Sequence, residues 1–250
     1  MNRFLHRLGS PQVAYQMAGF CLPWFSIICV LMMIYGVVGG LFLAPPDAEQ
    51  GDAFRMIYIH VPAAFLSLMI YGIIFVNSVV YWVWHIKVAD IVAKCSASVG
   101  ATYTMIALFS GALWGKPMWG TWWIWDARLT SELILLFLYL GYMGLRNAIR
   151  EPKRAAKASA ILAVIGMVDI PIIHFSVEWW ATLHQGATLA KFSKPSIAPE
   201  MLYPLLAMLG AFILFYAAIL CVKVRLEILK RERKAQWVQE WFRLSRDTAT

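Results

Sequence analysis

The sequence predicts an all-α, polytopic membrane protein with six transmembrane helices, and three features of composition and patterning lead there. Of its 250 residues 61% are hydrophobic and only 14% charged, too little polar surface for a domain bathed in water. Six stretches are predominantly apolar, most of them over close to the ~20 residues that a helix needs to cross a bilayer. Lys and Arg crowd into alternate connections, as expected when successive loops lie on opposite sides of a membrane.

The spans read in order as 21–43, 61–84, 91–113, 133–145, 158–175 and 202–222. Apolar residues in them point in every direction, as lipid-facing or bundle-buried helices require. The fourth is short, but it can extend backward through Glu132 and Ser131 toward the interface. With six spans, the N-terminal segment, the second and fourth loops and the C-terminal tail share one side. That side holds 17 of the 22 basic residues, among them Arg3, Arg7, Lys87, Arg146, Arg154, Arg225 and Arg231. The other keeps Arg55, Lys116, Arg128, Lys191 and Lys194. Both termini are therefore expected in the cytoplasm and three loops outside. The net charge of +8 then reports topology, and no basic stripe interleaved with aromatics reads as a nucleic-acid groove.

The first apolar run is longer than a signal-peptide core and lacks a small-residue cleavage site, so it reads as a retained span. Cys21, Cys29, Cys95 and Cys221 lie in or beside spans and form no C-x-x-C pair. That argues against covalent heme attachment and thiol exchange in this chain, and leaves packing as their role.

The outside loops hold the chemistry. The connection between helices 3 and 4 packs Trp114, Trp119, Trp122, Trp123 and Trp125 into twelve positions, followed by Asp126 and Arg128. An interfacial aromatic belt is the plain reading, and Trp24, Trp82 and Trp84 fit it. Five indoles in one loop exceed what a belt needs. Were 119–126 a surface helix, Trp119, Trp122, Trp123 and Asp126 would share one face, a rigid apolar platform suited to a flat macrocycle.

His60 and His184 fall in two other outside loops. His60 precedes Val61 and Pro62, where Pro suits a first helical turn, which places His60 above the membrane and facing outward. Neutral imidazoles are common axial ligands of heme iron. Either histidine alone reads more readily as a satisfied interfacial residue than as a ligand; together, on the side of the tryptophan loop, they point to a ligand pair. His6 and His85 are on the other side. Asp169 and His174 flank Pro171 at the outer end of the fifth span, where a kink, a structural bond or a reserve ligand are all open readings. Arg55 and Arg128 could pair with propionates, form surface salt bridges or meet lipid phosphates. Glu132 reads as a charge favouring the start of the fourth helix.

The run Trp-Gly-Thr-Trp-Trp-Ile-Trp-Asp-Ala-Arg-Leu-Thr at 119–130, with His60 in Tyr-Ile-His-Val-Pro and His184 in Thr-Leu-His-Gln-Gly, resembles the heme exporter protein C (cytochrome c maturation protein C) family. The resemblance spans nearly the whole chain through the sixth helix. It implies a heme-binding subunit of the bacterial inner membrane that serves c-type cytochrome biogenesis. In such proteins heme b sits non-covalently at the periplasmic face and is passed to a heme chaperone, the E protein of the pathway. His60 and His184 would be axial ligands of the heme iron; Trp119, Trp122, Trp123, Trp125 and Asp126 would form the platform. The family also implies a complex with a membrane B protein, a cytoplasmic ATPase A protein and a small single-span D protein. A handling and delivery protein, not an enzyme, is the expectation; the alternative is a permease subunit that moves heme across the bilayer with a partner ATPase.

The chain carries no ATPase signature of its own. Gly111-Ala-Leu-Trp-Gly115-Lys116-Pro117 lacks the spacing and the hydroxyl residue of a phosphate loop. Gly36 and Gly40 form a G-x-x-x-G pair open to helix packing or docking. Residues 1–225 are expected as the membrane domain and 226–250 as a basic amphipathic tail on the cytoplasmic membrane surface or on the ATPase.

Overall fold

The computed structural model describes residues 9–180, 182–184 and 197–247; the expectations for Arg3, His6, Arg7, Gln185, Gly186, Lys191 and Lys194 lie outside them. Among the described residues there is no β-strand, and six helical units are long and apolar enough to cross a membrane. Helix α1 (Pro11–Val37) starts on Pro11, whose missing N–H costs nothing at that position, and ends in a π-helical turn, Val38–Leu43. A 3-10 turn, Asp52–Met56, leads into α2 (Ile57–Trp84). Next come α3 (Lys87–Trp119) and α4 (Ala127–Ala148). The fifth unit is two helices, α5 (Pro152–Gly166) and α6 (Asp169–Trp179). Helix α7 (Pro199–Arg231) is the sixth, and α8 (Gln236–Asp247) follows it.

The ends have local causes. His85 adopts φ 55° and stops α2. Gly120 takes φ 76° after α3, a left-handed cap that glycine adopts without strain. Asp126 caps α4, its Oδ1 accepting from Leu129 N at 2.8 Å. That cap extends the short fourth span to Ala127–Ala148. The fifth unit breaks at Met167 and Val168, because Pro171 has no N–H to offer the Met167 carbonyl. The disruption expected at Pro171 thus falls one turn earlier.

Helix α3 is the hub. Of its most apolar stretch 61% is buried, against 17% for the α1 unit, so α1 is peripheral. Helix α2 packs on α3, α4 on α3 and α5, and α1 on α7. The α1–α7 seam needs glycine at position 36, where a Cβ would lie 2.6 Å from Met208 Cγ, and the π-helical turn needs it at Gly40, where a Cβ would lie 2.8 Å from the Tyr58 ring of α2. The G-x-x-x-G pair is therefore spent inside the molecule.

The two ends of the bundle differ in charge. At the Lys87 end of α3, Asp90 is held between Arg146 of α4 and Arg231 of α7, each at 2.7 Å. Arg231 also reaches Glu227, which takes Lys94 as well, both at 2.7 Å. Position 225/226 falls inside α7, which runs unbroken to Arg231. Helix α8 turns back so that Trp237 and Trp241 lie on Tyr15 of α1, with ring centroids 5.7 and 6.0 Å away. The opposite end of α3 carries Trp114 and Trp119.

Candidate functional site

At that opposite end a cavity of about 420 Å³, counted out to its mouth, opens between α2, α3, α4 and the 182–184 segment. His60, Trp119, Arg128, Glu132 and His184 line it, with small residues of α3 (Ala107, Gly111, Ala112) giving it room.

His60 does not face outward from a helix start. Helix α2 begins at Ile57, before Pro62, so His60 lies within its first turn and turns into the bundle against α3. Its Nδ1 is 3.1 Å from the Ala107 carbonyl oxygen and 3.1 Å from Ser110 Oγ. A carbonyl only accepts, so Nδ1 donates and the lone pair is left on Nε2. The ring packs on Gly111, where a Cβ would come within 3.0 Å of His60 Cε1.

His184 arrives from the segment after α6. Its backbone N–H donates to Thr182 Oγ1 at 2.9 Å, and its ring lies 5.1 Å from Trp119, centroid to centroid. Its buried Nδ1 has no hydrogen-bond partner among the described residues. Burial, aided by the nearby Arg128 guanidinium, pushes the imidazole pKa down to about 4, so near pH 7 the ring is neutral and able to bind a metal. The His60 and His184 centroids are 6.5 Å apart.

The tryptophans divide. Trp114 packs edge-on to His60 at 5.7 Å, held by its Nε1 donating to Gln50 Oε1 at 2.9 Å. Trp119, the last residue of α3, forms cavity wall. Residues 120–126 are not helical, so the single face expected for Trp119, Trp122, Trp123 and Asp126 does not form. Gly120 and the Asp126 cap both break helix there. Trp122 and Trp125 are 54% and 75% exposed, with Trp123 edge-on to Trp125 at 5.4 Å and Lys116 over the Trp122 ring. Asp126 is occupied in part by its cap.

The two arginines also part. Arg128 lines the cavity, and its Nη1 donates to the Ile173 carbonyl at 2.8 Å. Arg55 stays in the α1–α2 connection, donating to Asp52 Oδ1 and Gly40 O, both at 2.9 Å. His174 is exposed, edge-on to Phe175; Asp169 is buried at the start of α6 with Oδ2 unpaired. Glu132, expected as a charge at the start of the fourth helix, is the sixth residue of α4 and a buried part of the cavity wall, bonded to Ser67 Oγ at 2.7 Å. It, Ser110 and Gln50 are site residues that sequence reasoning missed; the available signal was an acid inside an apolar span.

Fold and cavity together define a polytopic helical membrane protein with a paired-imidazole pocket at one end of its bundle. This chain belongs to the heme exporter protein C family, whose description fits residues 4–239. It is 46% identical over 239 residues to the heme exporter protein C of Haemophilus influenzae, covering 96% of this chain and 97% of that one. It is 45% identical over 240 residues to that of Escherichia coli strain K12, with the same coverage. With that of Bradyrhizobium diazoefficiens it shares 42% over 233 residues, 93% of this chain and 88% of the other.

Proposed function

We propose that this chain holds heme b, non-covalently and transiently, in the cavity beside Trp119 and delivers it to a periplasmic heme chaperone for c-type cytochrome assembly. Heme is cargo here, and the chain turns over no substrate of its own. The observation that carries the reading is the imidazole pair. Metal–nitrogen bonds of ~2 Å put two rings on opposite sides of one metal atom about 6.3 Å apart, centroid to centroid, and His60 and His184 stand 6.5 Å apart. Among the described residues no three His, Cys, Asp or Glu side chains converge as they would for a bare ion. Two ligands suit a metal that brings its other four nitrogens with it. The unpaired Nδ1 of His184 fits a pocket whose polar groups await a ligand. The relatives' name, heme exporter protein C, supplies the identity of the cargo.

In this reading His60 and His184 are the axial ligands, and Trp114 and Trp119 the apolar walls. Arg128 takes a propionate; Arg55 serves the other once it leaves Asp52. Trp122, Trp123, Trp125 and Asp126 form the surface at the cavity mouth on which the chaperone E protein docks. The excess of basic residues at the far end supports a cytoplasmic location for that end, with the cavity then at the periplasmic face of the bacterial inner membrane. The B, A and D proteins of the pathway complete the complex. Co-expression of the chaperone with His60→Ala or His184→Ala tests the proposal. Heme loading of the chaperone is expected to fall at least about tenfold in each, and unchanged loading in both would overturn the ligand assignment.

A further inference from the structure

Glu132 is 8% exposed, yet it forms part of the cavity wall. Its Oε1 accepts from Ser67 Oγ at 2.7 Å, and the Ser67 carbonyl is in turn held by Tyr139 OH at 2.6 Å. Arg128 lies one turn earlier on α4, four residues away, and Asp169 and Tyr139 are its other titratable neighbours. The ion pairs among the described residues join other groups. An ionised carboxylate without a close cation is expensive inside a membrane bundle. A glutamine would keep the Ser67 contact at much lower cost, so the acid itself needs a reason.

The cargo supplies one. Under the proposed function Arg128 is engaged by a propionate, which leaves Glu132 as the acidic side chain of the cavity wall. A porphyrin dianion around ferric iron carries one net positive charge at its core, and around ferrous iron none. A buried negative charge acts strongly on that difference, because little water screens it. We infer that Glu132 sets the oxidation-state preference of the site, so that the ferric form of the cargo is held more tightly than the ferrous. Glu132 is then a specificity-determining residue, acting on the iron through charge without ligating it. The inference rests on the heme reading of the cavity.

The test is a spectroelectrochemical titration of the purified, heme-loaded protein at one fixed pH, for the parent, Glu132→Gln and Glu132→Asp. Glu132→Gln should retain the low-spin spectrum of two axial histidines while its ferric-to-ferrous affinity ratio falls about tenfold or more. That is a midpoint potential raised by ~59 mV or more. Glu132→Asp, which keeps the charge, should stay within about threefold of the parent ratio. If Glu132→Gln does not fold, Glu132→Ala also removes the charge and carries the same expectation. A charge-free variant that binds heme with a ratio changed less than about twofold would overturn the inference, as would equal shifts in the Asp and charge-free variants. A parent that takes up no heme would instead overturn the reading of the cavity, and this inference with it.

Discussion

His60 can bind a metal only through the nitrogen that its neighbours leave free, and those neighbours are Ala107 O and Ser110 Oγ. Groups that orient an imidazole in this way commonly change metal affinity by 10–100-fold when removed. Ser110→Ala leaves the Ala107 carbonyl in place, so heme affinity should drop about tenfold with the low-spin spectrum retained; equal affinity by titration would show that Ser110 does not orient the ring. The histidines and tryptophans stood out in the sequence because both residue types are uncommon in proteins and here fall at or near span ends expected on one side. Ser110 was not, since a serine in an apolar helix ordinarily bonds the carbonyl one turn back, as Ser110 also does with Ile106 O at 2.6 Å. Glu132 was misread because the fourth span seemed to begin after it. Once Asp126 supplies the cap, the helix starts five residues before Glu132 and carries it inside.

Elements follow the apolar patterning closely, and departures occur where a single residue changes backbone bonding. The fifth span splits into α5 and α6 because Pro171 removes a donor. The 120–126 segment stays irregular because Gly120 ends one helix and Asp126 opens the next. No periodicity announces either, since both depend on hydrogen bonds and not on hydrophobicity. The α1–α7 seam is set by Gly36 against Met208. Gly36→Val should destabilise the purified protein by about 1–3 kcal/mol through overpacking, read as a lower unfolding midpoint in detergent. A midpoint equal to the parent's would mean that the seam can open without cost.

At the scale of the whole molecule, the helices join two unlike ends. One is a salt-bridge lattice built on Asp90; the other is a cavity of neutral imidazoles and indoles. Arg146 is only 5% exposed and Asp90 8%, so Asp90→Asn strands a buried guanidinium and should cost about 3–5 kcal/mol. Lys87→Ala breaks a pair whose lysine is 71% exposed and should cost at most about 1 kcal/mol. Equal losses in chemical unfolding would contradict the view that burial, rather than charge alone, makes the lattice matter. The division into ends was legible from the Lys and Arg distribution. Which side chains meet across the bundle was not, because His60, Ser110, Arg128 and His184 come from four separate segments.

The most direct test of the paired-imidazole account is the visible spectrum of the protein purified with heme, oxidised and reduced, beside a His60→Ala/His184→Ala double variant. The account predicts a six-coordinate low-spin b-type spectrum in the parent that is lost or turned high-spin in the variant. A parent that binds no heme, or a variant with the parent's spectrum, would contradict it.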